Sequence, residues 1–215
     1  MLKTVECTNL KVKNQSFILH PSGALFWKER QALLISDVHL GKVSHFRKFG
    51  AAVPQRTIIQ NFKTLNTVIG HFKPETIIFL GDLFHSHLNK EWILFEEWVR
   101  TTSRHIILVS GNHDIISPLK YEALGIRVVP EIQWDGFLLT HHPEERKGLF
   151  NFSGHIHPAV RLRGQGRQSL RLPCFYKRIF QMILPAFGAF TGTHCIDPQP
   201  EDEVFAIADA SIIKI

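Results

Sequence analysis

The sequence has few cysteines and no long apolar run. Its three cysteines, Cys7, Cys174 and Cys195, lie far apart and form no CxxC pair. An odd number of widely spaced thiols argues against a disulfide framework or a cysteine zinc site. No apolar run approaches the roughly 20 residues that a membrane-spanning helix needs, and residues 1–12 lack the apolar segment of a signal peptide. We therefore expect a cytoplasmic protein with free thiols and no membrane contact.

The sequence also lacks an internal repeat, a linker and a low-complexity tract. Its 215 residues are enough for one sizeable core and few for two, so we expect a single domain over residues 1–215. Positive charge is in excess, with a formal net charge of +6. A basic surface suits a polyanionic partner such as nucleic acid, although many small basic proteins bind none.

Strand-like and helix-like patterns alternate in the first half. The apolar runs at residues 32–36, 76–80 and 105–109 predict buried strands. Between them, apolar residues at helical spacing predict one helix that begins at Pro54 and another over residues 92–99. This β-α-β-α-β alternation implies parallel strands joined by right-handed crossovers.

The second half consists of short strand-like runs that glycine and proline separate. The runs lie at residues 137–140, 149–152, 160–163, 170–176, 179–184 and 204–207. Residues 161–171, which include Gly164 and Gly166, predict the tip of a basic hairpin. The sequence thus predicts an α/β fold of two sheets packed together, with helices on the outside.

Polar residues recur where the predicted strands end. They form five short segments: SDVH (36–39), GDLFH (81–85), SGNHD (110–114), THH (140–142) and GHIH (154–157). In open α/β sheets, functional sites form outside the carboxyl ends of the strands. Side chains from these five segments can therefore converge on one place.

The residue types in these segments suit transition-metal ions. Asp37 and His39 are two residues apart, so an extended backbone would place both side chains on one face, and His155 and His157 repeat that spacing. Imidazole with carboxylate or amide oxygen suits Mn²⁺, Fe or Zn²⁺ rather than Ca²⁺. A carboxylate can bridge two ions, and Asp82, in the middle of the set, is the expected bridge. Two ions about 3.5–4 Å apart clamp both oxygens of an in-line displacement and supply hydroxide near neutral pH.

The order DxH, GD, GNHD, H and GHxH resembles the calcineurin-like metallophosphoesterases. The resemblance implies a four-layer α/β/β/α sandwich of two mixed sheets. It implies two divalent ions, with Mn²⁺ expected and Fe or Zn²⁺ as alternatives. The implied ligands of the first ion are Asp37, His39, Asp82 and His157, and those of the second are Asp82, Asn112, His141 and His155.

The fourth polar segment departs from the family pattern, and the third contains two candidate catalytic residues. The fourth block is usually His-Gly in the family, whereas here His141 and His142 precede Pro143. His141 comes directly off the strand and is the expected ligand, with His142 as the alternative. By the same resemblance His113 would approach the phosphate or the leaving group, with Asp114 orienting its ring.

Longer segments resemble nucleases. GDLFH (81–85) is similar to the corresponding block of Mre11-type nucleases, where the histidine, here His85, assists phosphodiester cleavage. A closer resemblance is to the bacterial ligase-associated DNA-damage-response metallophosphoesterases, identified as endonucleases. The segments that carry it are LISDVHLGK (34–42), HFRKFGAAVP (45–54), LTHHP (139–143), SGHIHP (153–158) and LPAFGAFTG (184–192). This resemblance implies DNA as substrate, and a DNA ligase, a metallo-β-lactamase-type nuclease and a helicase as partners.

Several basic residues near the polar segments are candidate substrate contacts. They are Lys42, His45, Arg47, Arg161, Arg163 and Arg167. Each would contact a substrate phosphate or, alternatively, be an ordinary solvent-exposed side chain.

Three functions are open to this sequence. The first is a DNA phosphodiesterase or nuclease in damage repair that uses metal-bound hydroxide, the second a small-molecule phosphoesterase acting on nucleotides, and the third a nucleic-acid-binding scaffold. The intact ligand set argues against the third. The basic charge, His85 and the lack of a visible capping segment favour the first over the second.

Overall fold

The computed structural model describes residues 5–42, 56–85, 88–166 and 168–215, which form two β-sheets and accompanying helices. His45, Arg47 and Arg167, like the predicted helix start at Pro54, lie outside the described residues.

The first sheet joins an antiparallel half to a parallel half. The antiparallel strands are β1 (Thr8–Val12), β2 (Gln15–Leu19), β3 (Leu25–Trp27) and β4 (Ala32–Ile35). The strands that continue parallel to β4 are β5 (Thr76–Leu80), β6 (His105–Val109) and β7 (Arg127–Val129). The predicted parallel arrangement of β4, β5 and β6 is confirmed, so their carboxyl ends share one edge of the sheet.

The helices cover the outer face of the first sheet. They are α1 (Arg56–Phe72), α2 (Lys90–Thr101) and α3 (Pro118–Glu122). Leu65 of α1 and Phe95 of α2 join one buried cluster with Leu33 and Ile77 of the sheet. The side chain of Asn89 caps α2 by accepting a 2.8 Å hydrogen bond from the Glu91 amide, a contact that satisfies an amide without a partner inside the helix.

The second sheet is also mixed. Its strands are β8 (Ile132–Trp134), β9 (Phe137–Leu139), β10 (Phe150–Ser153), β11 (Pro158–Arg163), β12 (Ser169–Lys177), β13 (Gln181–Ile183), β14 (His194–Cys195), β15 (Glu203–Ala208) and β16 (Ser211–Lys214). They are ordered β14-β11-β12-β13-β10-β9-β8, and β15 pairs with both β12 and β16. β11 and β12 form the predicted basic hairpin, in antiparallel register.

An aromatic layer lies between the two sheets. Phe17 and Trp27 of the first sheet pack against Phe152 and Phe137 of the second, with ring centroids 4.8 Å and 4.9 Å apart. None of the four side chains is more than 1% exposed. Truncating such a side chain to alanine costs about 3–5 kcal/mol, so this layer holds the sheets together. The predicted fold class, α/β with two mixed sheets packed together, is confirmed.

The outer face of the second sheet carries a smaller cluster around Cys174, Tyr176 and Ile183. Burial raises the pKa of the Cys174 thiol to about 12, so this cysteine stays protonated and inert. The expectation of free cysteines is confirmed, because Cys7, Cys174 and Cys195 form no disulfide. No helix in the described ranges is long and apolar enough to cross a membrane.

His20, which follows β2, is a buried packing residue. Its Nδ1 atom accepts a 3.0 Å hydrogen bond from the Ser22 amide, and its ring lies beside those of His71 and Phe72. Burial and, to a smaller extent, the neighbouring His71 lower the pKa of His20 from 6.5 to about 4. The folded protein therefore holds His20 neutral at a pH where the unfolded chain protonates it.

This pKa difference predicts a loss of stability in mild acid. Below pH 6.5 the unfolded chain binds the extra proton, so the free energy of unfolding should fall until the pH approaches about 4. The loss should be on the order of 1–2 kcal/mol once solvent screening is allowed for. His20→Asn keeps an acceptor for the Ser22 amide and cannot titrate. Chemical denaturation at several pH values should show this loss in wild type but not in the variant, and parallel curves would contradict the assignment.

Candidate metal centre

The five polar segments meet at the carboxyl edge of β4, β5 and β6, as their positions predict. Three overlapping groups of metal-ligating atoms lie there, each with its atoms within 4.8 Å of one another. The groups are Asp37, His39 and His157; Asp37, Asp82 and His141; and His141, His142 and His155. The structure therefore brings together carboxylates and imidazoles from segments up to 120 residues apart in the chain.

The first group surrounds the carboxylate of Asp37, which is fully buried. Asp37 Oδ1 lies 3.1 Å from His157 Nε2, and His157 Nε2 lies 3.3 Å from His39 Nε2. His39 Nε2 is also 3.9 Å from Asp82 Oδ2, which places Asp82 at the boundary of this group. Burial lowers the pKa of His39 to about 3, so its imidazole is neutral and can act as a ligand.

The other two groups, treated together below as the second group, both contain His141. Its Nδ1 atom lies 2.9 Å from the carbonyl of Leu80, which only accepts, so Nδ1 donates and Nε2 carries a lone pair. That Nε2 atom lies 3.0 Å from Asn112 Oδ1, 3.4 Å from Asp82 Oδ1 and 3.2 Å from His155 Nδ1. The backbone has thus fixed the tautomer in which Nε2 can bind a metal ion.

His142 lies on the solvent side of the second group and does not replace His141. His142 is exposed, and its ring centroid is 4.0 Å from that of His155. His141 is buried and is the residue in contact with Asp82 and Asn112. The geometry therefore favours His141 as the ligand and adds His142 as a neighbour on the solvent side.

The residues present fit divalent metal ions. The lone pair of His141 Nε2 faces the Asp82 carboxylate across 3.4 Å, and Asp37 Oδ1 is buried without a hydrogen-bond donor. Electron pairs that face one another in a buried site repel unless a cation lies between them. Asp82 contributes Oδ2 near the first group and Oδ1 near the second, as a bridging ligand would. Nitrogen and carboxylate oxygen together suit a transition metal.

The backbone at these residues differs from the expectation. Five of the proposed ligands have positive φ angles in the left-handed region: Asp37 (54°), His39 (51°), Asp82 (51°), His155 (67°) and His157 (53°). The prediction that an extended backbone aligns Asp37 with His39, and His155 with His157, is wrong. These residues converge because left-handed turns redirect the chain after each strand. Such conformations cost of order 1–3 kcal/mol each, so the surrounding structure must hold them in place.

Two glycines allow the ligand loops to approach one another. A side chain at Gly111 would meet Asp82 Oδ1 at 2.3 Å, and one at Gly154 would meet Asp37 Oδ2 at 2.4 Å. The Asp37 carboxylate instead accepts a 2.9 Å hydrogen bond from the amide of His155. The lack of a side chain at Gly111 therefore lets its loop pack against Asp82, and the lack of one at Gly154 lets its loop pack against Asp37.

His85 and His113 lie together beside the first group. Their ring centroids are 4.4 Å apart, and the ring of His39 is 5.2 Å from that of His85 and 5.8 Å from that of His113. The amide of His113 donates a 2.9 Å hydrogen bond to Asp82 Oδ1. Both predicted catalytic histidines thus stand at the edge of the centre.

Asp114 has other partners than the His113 ring that it was expected to orient. Its Oδ2 atom accepts hydrogen bonds from the amides of Asp82 and Gly111, both at 2.8 Å, and its Oδ1 atom accepts one from Phe84 at 3.1 Å. Burial raises the pKa of Asp114, whereas these amide hydrogen bonds oppose the rise. Asp114 is therefore a positioning residue that ties the loop after β6 to the loop after β5.

Two further supports were not foreseen from the sequence. The buried Glu91 of α2 accepts a 2.7 Å hydrogen bond from the Gly41 amide, which anchors the loop that carries His39. The amides of Phe187 and Gly188 donate to the carbonyls of Ser36 and Asp37 at 3.0 Å and 3.2 Å. In the sequence, the 184–192 segment indicates only a family resemblance, and an acidic residue in the first turn of a helix carries no signal of burial.

The predicted substrate contacts have mixed placements. Lys42 is half-buried near the centre; burial lowers its pKa, and the Asp82 carboxylate opposes that shift. Arg161 and Arg163 are exposed on β11, which begins directly after His157.

Comparison with known proteins agrees with this geometry. A model of the calcineurin-like phosphoesterases matches residues 31–174, which contain all five polar segments. The crystal structure of Pseudomonas putida nuclease MPE is similar to this chain, with a TM-score of 0.83 and 28% identity over 98% of this chain and 100% of that one. Yfce, a phosphoesterase from E. coli, has a TM-score of 0.47 and 15% identity, over 86% of this chain and 97% of its own. No curated protein sequence matches.

The family match covers more than half of the chain, including every residue that builds the centre. The chain belongs to the calcineurin-like phosphoesterase family and is a metal-dependent hydrolase.

Proposed function

We propose that the protein is a two-metal phosphodiesterase that cleaves DNA, with a role in DNA repair. The observation that carries the proposal is the convergence of two ligand groups on Asp82, with His85 and His113 beside them. Asp37, His39, Asp82 and His157 would hold one ion. Asp82, Asn112, His141 and His155 would hold the other. Mn²⁺ is the expected metal, with Fe or Zn²⁺ as alternatives.

The bound ions would supply Lewis acidity, a water of lowered pKa and a clamp on the oxygens of an in-line displacement. The protein's own groups orient the substrate and move protons. His113, fixed through its amide on Asp82, would contact a phosphate oxygen. His85, which lies beside His113, would protonate the departing sugar oxygen. Lys42, half-buried near Asp82, would add a positive charge for the phosphate.

DNA is the favoured substrate for three reasons. The similar Pseudomonas putida protein is a nuclease, the net charge of +6 attracts polyanions, and the hairpin that begins at His157 carries exposed arginines. A small-molecule phosphoesterase acting on nucleotides is the alternative, because the same centre would serve it. Turnover measured side by side on DNA, nucleotides and monoesters separates the two: faster hydrolysis of nucleotides than of DNA would favour the alternative.

The bridging role of Asp82 predicts a loss of both metal ions. Asp82→Asn should lower the occupancy of both positions, because Asp82 contacts both ligand groups. Asp135→Asn, a surface carboxylate paired with Arg30, is the matched control and should keep two ions per chain. Metal analysis after dialysis checks both variants. Two ions retained in Asp82→Asn would exclude Asp82 as the bridge. Wild type stripped by a chelator should be inactive until Mn²⁺ is restored.

His113 and His85 should respond differently to the leaving group. His113→Ala should lower turnover about 10²–10⁴-fold on DNA and on an activated aryl phosphodiester alike. His85→Ala should lower DNA cleavage much more, since a sugar alkoxide needs protonation and a phenolate does not. His105→Ala, an exposed imidazole at the start of β6, is the control and should change neither rate.

Metal content must match wild type in both active-site variants for this comparison to hold. Parallel losses on the two substrates in His85→Ala would remove the leaving-group role. Wild-type turnover in His113→Ala would remove His113 from the mechanism.

A further inference from the structure

The hairpin of β11 and β12 carries three arginines on one face. Arg161 lies directly opposite Arg171 in the antiparallel register, and Arg163 lies opposite Ser169. Residues two apart on a strand share a face, so Arg161, Arg163 and Arg171 point to the same side. These three residues are called the arginine face below.

The arginine face continues the inner face of the second sheet. On β12, Phe175 points into the core between the sheets, and Arg171 is four residues before it, on the same side. The alternate positions, Val160 and Leu172, pack into the outer cluster around Cys174. The arginine face is exposed, so it projects beyond the aromatic layer on the side that looks toward the first sheet.

Among the described residues, no counterion faces the charges of the arginine face. Some other arginines are neutralised: Arg30 pairs with Asp135 and Arg146 with Glu131, both at 2.6 Å. Across the residues that the structure describes, no ion pair engages Arg161, Arg163 or Arg171. Like charges placed directly opposite on neighbouring strands are destabilising. An anionic partner would relieve that repulsion, and no acidic side chain of the described chain does so.

The distance between the arginine face and the metal centre indicates which phosphates of a DNA strand the face would contact. β11 begins at Pro158, directly after the proposed ligand His157. Strand geometry places Arg161 and Arg163 about 10 Å and 17 Å beyond Pro158. A DNA strand rises about 3.4 Å per nucleotide. The arginine face is thus about three to five nucleotides away from a phosphate at the centre.

We propose that the arginine face docks the sugar-phosphate backbone of one DNA strand, on one side of the bond that the metal centre cleaves. The inference rests on the proposed function and deepens it: the face fixes the path of the substrate and requires a minimum length on one side. The contacts are with phosphates, so docking is independent of base sequence.

The test compares two triple variants that remove the same charge. Arg161→Gln/Arg163→Gln/Arg171→Gln removes the arginine face. Arg100→Gln/Arg104→Gln/Arg127→Gln removes three exposed arginines near the end of α2 and the starts of β6 and β7, at the opposite edge of the first sheet.

The first measurement is binding of the metal-loaded protein to a short DNA duplex with a non-hydrolysable linkage, at several salt concentrations. Loss of the arginine face should lower the slope of log K against log salt by about 2.7 and the affinity at 0.1 M salt by about 500-fold. The control triple should bind as wild type does. Lysine at the three positions should restore the slope, because lysine also contacts phosphate as a point charge.

The second measurement is cleavage of oligonucleotides lengthened on one side of a defined bond. Wild type should gain kcat/KM as the flank grows to about five nucleotides, and the arginine-face variant should lose that gain. Hydrolysis of an aryl phosphodiester should be unchanged in both triples. The inference is overturned if the arginine-face variant keeps the wild-type salt slope or the wild-type length dependence. It is also overturned if the control triple loses as much binding, or if hydrolysis of the aryl diester falls as much as cleavage of DNA.

These outcomes separate the inference from the proposed function. If wild type cleaves DNA while the variant keeps its length dependence, the arginine face is wrong and the nuclease assignment stands. If wild type hydrolyses no diester, the proposed function fails, and the salt slopes still decide whether the arginine face binds DNA.

Discussion

The position of Asp82 at the junction of three loops is the constraint on which the centre depends. Its carbonyl accepts a 3.0 Å hydrogen bond from the His39 amide, its amide donates to Asp114, and its Oδ1 atom accepts from the His113 amide. Beyond the ends of the paired strands, the Asp37 amide also donates a backbone hydrogen bond to the Gly81 carbonyl. The loops after β4, β5 and β6 are therefore fixed to one another as firmly as the strands are, and Asp82 cannot move without moving its neighbours.

This network explains how the left-handed ligand residues persist. Each strained residue is followed or preceded by a backbone hydrogen bond to another loop, and the parallel strands beneath are buried on both faces. The rigid sheet supplies the free energy that the strained turns require. These hydrogen bonds hold the ligand loops in fixed positions, and a fixed set of ligands favours tight metal binding.

Much of the fold and of the centre could be predicted from the sequence, because buried parallel strands leave continuous apolar runs and polar ends. β4, β5 and β6 were predicted on this basis, as was the set of side chains that converge at their ends. The hairpin of β1 and β2 was not predicted. Its turn residues, Lys13 and Asn14, have positive φ angles without a glycine to signal the turn. The partners of Asp114 and Glu91 were also missed, since sequence patterns do not show which carboxylate is buried against an amide.

In the hairpin of β11 and β12, the part that lies far from the metal centre is distinct from the part that adjoins it. Its tip, residues 164–168, is exposed in its described part and touches none of the ligands, whereas its base continues directly from His157. Adding two residues to each strand would extend the hairpin by about 6.6 Å and keep every side chain on its original face. Adding one would turn the arginines outward. The hairpin can therefore change its length in steps of two residues without turning the arginine face, while the metal centre stays as it is.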